Sequence, residues 1–525
     1  MSHFQRGARI GLLMLGASAL LFWVTHHAEV SFADGLRDVK QARQITLGDL
    51  QGGLWQAVDH PLHPLSIAGI HQVLGGGDRP YAWQTAAQAA SVIALVLAVI
   101  PLYMLGLELF DDDTTATLGV LLVISGRVAC DVAVNVLSES TFLLFWAWGL
   151  WASARFLREG GFVWLVPAVL AGALAYLTRP EGVLLLLGLV ATLLILPVHR
   201  GTRIDWPRWW AAVGVLVIGP ALLVGPYVAL KGGIATRPAV GRLIGVEPEA
   251  PPQALEREGP LPEGQTRLQT YAIASARVAR AIKGAVTLPL LPCAAVGLFL
   301  VTRGAVRVRT RAWLLMGVVT LIAAAGLVRL HATGGYCTVR HALIPGTLLI
   351  LTAAHGIATV LQSASIDGRR IGLGDGRLQA GPAVWVLVLA LLTAWPLYRV
   401  KTPYASSFAP YRAAGLWLSG RPEADGRVLD LTDWSLFFSG RRGAGFAEVL
   451  DAAERPGTRF LVVREAHLSG HLHYNEVLRR LVAGKEPVAR FPEQPEPHQL
   501  QVGVYDLAAP TLDRVANGTA GGARR

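Results

Sequence analysis

Residues 86–109 read AAQAASVIALVLAVIPLYMLGLEL. A bilayer core of about 30 Å takes about 20 apolar residues as helix, so this stretch is long enough to cross one. It decides the fold because ten further runs of the same kind accompany it. The eleven expected spans cover residues 10–25, 86–109, 115–133, 138–157, 162–179, 181–199, 209–230, 285–302, 311–330, 340–362 and 381–400. Arg6 and Arg9 before the first run resemble the start of a signal peptide. No small-x-small cleavage site follows before His26 and His27, so a retained first helix is expected.

Composition agrees. Of 525 residues, 53% are hydrophobic and 16% charged, with 47 Lys+Arg against 36 Asp+Glu for a net +11. A soluble chain would carry about a quarter charged residues, which excludes disorder, collagen and an ordinary cytosolic enzyme. Three Cys make no disulfide framework, and neither CxxC nor a Cys/His spacing suggests structural zinc. The basic excess could signal nucleic acid, but in so apolar a chain Arg in membrane-flanking loops fits better. With the N-terminus inside, the expected cytosolic pieces (1–9, 110–114, 155–161, 199–208, 303–311, 363–377) hold fourteen Lys/Arg. The short opposite connections hold only Arg127, Arg179, Arg329 and Arg340, which places the C-terminus outside. The expected location is a bacterial cytoplasmic membrane.

The expected fold class is an α-helical polytopic membrane protein of about eleven transmembrane helices with a small external α/β C-terminal domain. Its transmembrane part is 1–400, with external loops at 26–85 and 231–284. Loop 26–85 carries amphipathic stretches at Asp34–Leu47 and His63–Leu74; the second loop holds the Pro/Glu-rich run Glu247–Gly264 and an expected helix, Thr266–Lys283. Residues 401–510 read as the α/β domain, with strands at Arg427–Leu431 and Arg459–Arg464 and helices near 410–419 and 472–483, before a disordered 511–525.

There is no Walker loop, no GxGxxG opening a βαβ unit and no HExxH, so a nucleotide is not the expected handle for substrate. Ionisable residues near the membrane face are costly unless used or paired, which draws attention to a few. Asp34 could act as a general base toward a hydroxyl, or simply be the N-cap of a surface helix with Arg37 and Asp38 solvated. His60 and His63, beside Asp59, are too few for a metal site, and their prolines suggest a turn into a surface helix. Ser138 and Glu139 fit a helix cap or a substrate contact. Arg179 and Glu181 fit a local pair or phosphate or sugar binding. Arg340, with His341 and Tyr336, fits a phosphate clamp or an interfacial anchor. Asp111–Asp113 reads as a solvated junction on the opposite face.

Together these residues resemble the GT-C class of membrane glycosyltransferases, family 39 and its bacterial relatives, which include protein mannosyltransferases and the aminoarabinose and Rgt-type transferases. The resemblance runs in order over most of 1–400: Asp34, Asp38 and Ala42; His60-Pro-Leu-His-Pro64; Pro101-Leu-Tyr-Met-Leu with Leu109-Phe110; Leu137-Ser-Glu-Ser; Leu177-Thr-Arg-Pro-Glu-Gly; and Arg340-His-Ala-Leu-Ile-Pro. Asp38 departs from an aromatic, and His63 and His341 each from a Tyr. The resemblance implies a polyprenyl-phosphate sugar donor and transfer to a hydroxyl on the external side. Asp34 is then the base, and Arg340, with Arg179 second, contacts phosphate. His60, Glu139, Glu181, His341 and Tyr336 are further candidate substrate-binding residues. The acceptor would be a lipid, a glycan or a protein, beside membrane lipids; no cofactor, metal or nucleic acid is implied. A flippase of lipid-linked sugars is the alternative, and would call for charges near mid-span, where only Asp131 is a clear acid and lies near an end. A third reading is a non-catalytic assembly subunit that uses its tail.

Overall fold

The computed structural model describes residues 2–57, 59–198, 205–233, 266–303, 310–334, 337–363, 366–367, 377–378, 408–421, 426–445, 457–469, 473–495 and 500–508. The bundle begins with α1 (His3–His26), followed by two loop helices, α2 (Ala33–Thr46) and α3 (Leu62–Leu74). Next come α4 (Pro80–Phe110), α5 (Asp113–Ile124), α6 (Arg127–Val134), α7 (Glu139–Glu159), α8 (Phe162–Thr178), α9 (Val183–Ile195) and α10 (Trp206–Leu230). Four more helices complete it: α11 (Arg267–Val286), α12 (Leu290–Thr302), α13 (Thr310–Gly334) and α14 (Leu343–Ser363). Among the described residues, five helical stretches are individually long and apolar enough to cross a membrane, and two bent pairs qualify when each is taken as one span. The protein is a multi-pass membrane protein.

Two expected spans are not continuous helices. Residues 115–133 divide at Ser125–Gly126, where Gly126 adopts an extended backbone and α5 and α6 diverge by 46°. Residues 285–302 divide at Thr287–Pro289, where Thr287 has φ 65° and the chain turns 97° between α11 and α12. A hydropathy window averages across such breaks, whereas Gly and Pro mark them. α4 starts six residues before the expected 86. Its 31 residues reach about 46 Å at helical rise, so it projects beyond the hydrocarbon, and Trp83, Ala87 and Ala90 pack with the loop helices. The expected span 381–400, the run Glu247–Gly264, Tyr336 and the tail 511–525 lie outside the described residues.

Alternate connections of the bundle gather at two opposite ends. At one, the acids after α4 tie down α1: Arg6 Nε donates to Asp113 Oδ1 at 3.0 Å, and Tyr103 Oη donates to the same oxygen at 2.7 Å. Asp112 caps α5 by accepting from the backbone N–H groups of Thr114 and Thr115. Asp112 and Asp113 are thus built into the joint, while Asp111 is exposed as expected of a solvated junction. At the other end lie loop 27–79, the α6–α7 and α8–α9 connections, and the 3-10 turn Val339–Ala342 before α14.

After a two-residue hairpin of β1 (Ile366–Asp367) and β2 (Arg377–Leu378), the C-terminal unit comprises α15 (Ala409–Ser419), β3 (Arg427–Asp430), α16 (Trp434–Ser439) and β4 (Gly443–Ala444). It continues with β5 (Thr458–Arg464), α17 (Glu465–Ser469), α18 (His473–Val482), β6 (Ala489–Phe491) and β7 (Val502–Asp506). The sheet order is β4-β3-β5-β7-β6, parallel from β4 to β5 and antiparallel beyond. In central β5 the period of two divides the side chains cleanly. Leu461 and Val463 join Leu478 of α18, while Phe460 and Val462 join a core that also contains Leu36 and Val39 of α2 and Ile67 of α3. The C-terminal unit therefore completes a core with the first loop.

Candidate functional site

The N-terminal turn of α2 is seated directly on the α6–α7 connection. The Phe32 N–H donates to Asn135 Oδ1 at 3.0 Å, and Ser31 Oγ donates to the Val134 carbonyl at 3.2 Å. A Cβ on Gly35 would come 2.2 Å from the Asn135 carbonyl oxygen, so a side chain there is incompatible with this approach. Phe32, and not Asp34, is the N-cap; Asp34 lies in the first turn, with Arg37 one turn further on. Asp38, expected to be solvated, is 5% exposed.

Asp34 accepts a hydrogen bond from Arg340 Nη2, a residue 306 positions away on the 3-10 turn before α14. His341 supports that turn: its Nδ1 accepts the Thr338 N–H at 3.0 Å. Arg340 Nε also stands 3.9 Å from Glu139 Oε1, and its guanidinium lies 5.8 Å from the centre of the Phe32 ring. Glu139, 3% exposed at the start of α7, is 2.8 Å from Arg179 Nη1. Arg179 forks onto Glu181 through Nη2 at 2.8 Å and Nε at 3.3 Å, and donates from Nη1 to Ser138 Oγ at 3.3 Å. Ser138 makes no side-chain cap for α7; its hydroxyl serves Arg179 instead. The Arg179-Pro-Glu-Gly turn is tight, because a Cβ on Gly182 would meet the Tyr176 backbone nitrogen at 2.2 Å.

The network extends the other way as well. Arg37 Nε is 3.3 Å from Asp59 Oδ2, and Arg37 Nη2 is 3.7 Å from Asp34 Oδ1. Lys231, at the end of α10, donates to the Asp59 carbonyl at 3.3 Å and to Tyr227 Oη at 2.9 Å. His60 is buried edge-on to Tyr176 at 5.0 Å, with Tyr227 at 5.9 Å. A cavity of about 690 Å³ opens beside Lys231, lined by Gln51, Trp55, Gln56, Ala57 and Leu230. His63 instead serves packing, buried with Nδ1 2.9 Å from Thr141 Oγ1. Seven of the eight residues singled out in the sequence (Asp34, His60, Glu139, Arg179, Glu181, Arg340, His341) thus come to one end of the bundle, Tyr336 being outside the described residues. Arg37 was read as solvated and Asp59 only as a neighbour of His60, and Lys231, Tyr176 and Tyr227 carried no signal in the sequence, although Arg37 stands at helical spacing from Asp34.

Electrostatics sort these groups. Burial acts to raise the pKa of Asp34, but Arg340 and Arg37, with the Arg340 hydrogen bond and a smaller effect from His341, outweigh it and hold the carboxyl below its ordinary value. Burial, then the charge of Lys231, lowers His60 to about 3, so its imidazole is neutral at physiological pH. Burial lowers Lys231 to about 8. The arrangement thus offers an ionised carboxylate, three guanidiniums in reach of anionic oxygen and an ammonium at a cavity edge. Among the described residues, no three His, Cys, Asp or Glu side chains are grouped as a metal site.

Residues 59–223 match the family described as dolichyl-phosphate-mannose-protein mannosyltransferase. No curated protein matches the chain by sequence. Among solved structures, the chain is similar to ArnT from Cupriavidus metallidurans in its apo state, at 14% identity and TM-score 0.54, over 95% of this chain and 99% of that one. The same protein bound to undecaprenyl phosphate aligns at 13% identity and TM-score 0.55 over the same shares. The oligosaccharyltransferase AglB from Archaeoglobus fulgidus, in complex with an inhibitory peptide and a dolichol-phosphate, aligns at 10% identity and TM-score 0.57 over 97% of this chain and 75% of that one. The chain therefore has the fold of the GT-C class of membrane glycosyltransferases, with a mannosyltransferase-family match over residues 59–223.

Proposed function

We propose that the protein transfers a sugar from a polyprenyl-phosphate donor to a hydroxyl acceptor at the end of the bundle that carries the first loop. The observation that carries this reading is the Asp34–Arg340 pair, a carboxylate and a guanidinium side by side at one end of the bundle. Asp34 takes the proton of the attacking hydroxyl, and Arg340 neutralises the phosphate that leaves as the glycosidic bond breaks. Arg179 is the weaker phosphate contact, since Glu139 and Glu181 already engage it. His60, Glu181 and His341 shape the surroundings of these groups. In the absence of substrate Asp34 is a poor base, because its arginines stabilise the charged form. A donor phosphate that draws Arg340 onto itself raises the basicity of Asp34, so donor binding switches on the base. The undecaprenyl phosphate bound to ArnT and the dolichol-phosphate bound to AglB carry the lipid and phosphate that such a donor would share, which supports this reading. Among the described residues the site's charges group at helix ends, which favours transfer over transport of the lipid-linked sugar.

The test is transfer of labelled sugar from a polyprenyl-phosphate donor by membranes carrying the protein, with Asp34→Asn beside the unaltered chain. Asn keeps the size of the side chain and removes the proton acceptor. Loss of about 10²-fold or more in rate is expected. Full activity of Asp34→Asn would remove Asp34 from the reaction.

A further inference from the structure

Helix α2 is held from two sides. Its N-terminal turn faces the charged network, whereas Leu36 and Val39 enter the core that contains Tyr411, Trp434, Phe437 and Phe438 of the C-terminal unit. Two polar or aromatic contacts bracket Asp34 along the chain. Two residues before it, the Phe32 ring meets Phe408 edge-to-face, with centroids 5.4 Å apart, and stands beside the Arg340 guanidinium. Six residues after it, Lys40 Nζ donates to Asp433 Oδ2 at 2.6 Å. Asp433 is fixed in turn: it adopts φ 64° at the start of α16, beside Asp430, whose carboxylate accepts the Thr432 and Ser435 N–H groups. Arg412 adds a third link, donating to the Glu29 carbonyl at 3.2 Å and to Tyr81 Oη.

We infer that the C-terminal α/β unit is a clamp that sets the position of Asp34 against Arg340 through α2, with Phe32, Lys40, Phe408 and Asp433 as positioning residues. The inference rests on the reading of Asp34 as the base. A 14-residue helix at the surface has little stability of its own, so its placement depends on what it packs against. Loosening the clamp lengthens the Asp34–Arg340 contact. The charged groups that face Asp34 are Arg37 on its own helix and Arg340 with His341 on the 3-10 turn, with Asp59 and Glu139 behind the arginines. When Arg340 recedes, the burial of Asp34 goes less opposed, and the acid limb of the activity profile moves to higher pH.

The experiment compares Lys40→Met, Asp433→Asn and Phe408→Leu with Lys40→Arg, which keeps the ion pair, in full-length protein normalised to its level in the membrane. The first three are expected to lower kcat about tenfold, leave the donor KM within about twofold and shift the acid limb of kcat/KM upward by about half a pH unit. Lys40→Arg should restore both. Wild-type kcat and an unmoved limb in all three overturn the clamp, as does a loss that is uniform across pH and follows the membrane level, which marks a merely structural contact. Asp34→Asn, run in parallel, separates the two ideas. If it is inert while Lys40→Met, Asp433→Asn and Phe408→Leu behave as wild type, the clamp alone fails; if it is fully active, the base reading fails and the clamp with it.

Discussion

Replacing Arg340 by Met keeps the stem and removes the charge that most strongly opposes the burial of Asp34. Arg340 and Asp34 are 29% and 26% exposed, between the fully solvated and deeply buried limits. Two unit charges about 4 Å apart at an effective dielectric of about 20 attract by roughly 4 kcal/mol. Arg37 stays 3.7 Å from the carboxylate, and solvent screens part of the rest, so about 2 kcal/mol is a fair net loss. The Asp34 pKa rises, and at about 1.4 kcal/mol per tenfold the acid limb of the activity profile should move by about 1.5 pH units. The sign follows from the role. A base with a depressed pKa is ionised above that pKa and is lost as pH falls through it, so raising the pKa moves the loss of activity to higher pH. The assay is the pH dependence of kcat/KM for transfer from a labelled polyprenyl-phosphate sugar, which reports the free enzyme. The overall rate should also drop by about 10²-fold if Arg340 makes the proposed phosphate contact. An acid limb that stays in place or moves down would refute the electrostatic coupling of the two residues, whatever the rate.

Two further perturbations probe the frame around that pair. Glu139→Gln removes a carboxylate that is 3% exposed and sits 2.8 Å from Arg179, itself only 14% exposed. Leaving a buried charge short of a partner should cost about 3 kcal/mol, read as a lower midpoint of thermal unfolding in detergent, and an unchanged midpoint would show that Glu139 contributes little to the frame. Gly35→Ala places a methyl where the Asn135 carbonyl oxygen stands, so the first turn of α2 must shift. A displacement of about 1 Å there should lower kcat by about 10²-fold while the chain still accumulates in membranes, and a wild-type rate would mean that this turn need not be fixed.

The helical bundle was legible because a run of about 20 apolar residues has few soluble interpretations. Helices α2, α3 and α11 were legible for a different reason, their apolar positions recurring at helical spacing. The breaks at Gly126 and Pro289 were not, since mean hydropathy stays high across them and only the individual Gly and Pro carry the signal. At the site, the sequence offers Asp34 and Arg340 as separate curiosities 306 positions apart. Only a resemblance to a known family gave a reason to join them, and the folded chain supplies the contact. Ser138 shows the converse limit. A hydroxyl ahead of an acid at a helix start is a capping signal, yet Arg179 takes that hydroxyl from the neighbouring α8–α9 connection. The Lys40–Asp433 link could not be read from spacing at all, because it depends on how the sheet seats on the loop helices.

The charge balance of the network constrains how it can work. Asp34, Asp38, Asp59, Glu139 and Glu181 stand among Arg37, Arg179, Arg340 and Lys231, five acids against four bases. Mutual pairing is what burial demands, since an unpaired charge is expensive to hold out of water. The balance also means that the resting site has no net positive charge with which to draw in a phosphate. Under the proposed function, recognition proceeds by exchange, in which the incoming phosphate takes the place of a carboxylate at an arginine already in position. The pair best suited to exchange is the more exposed one, Asp34 with Arg340, because Arg179 is forked onto Glu181 and backed by the buried Glu139. The carboxylate displaced by that exchange is the one proposed as base, so on this reading the same substitution of partners that binds the donor also raises the proton affinity needed for the next step.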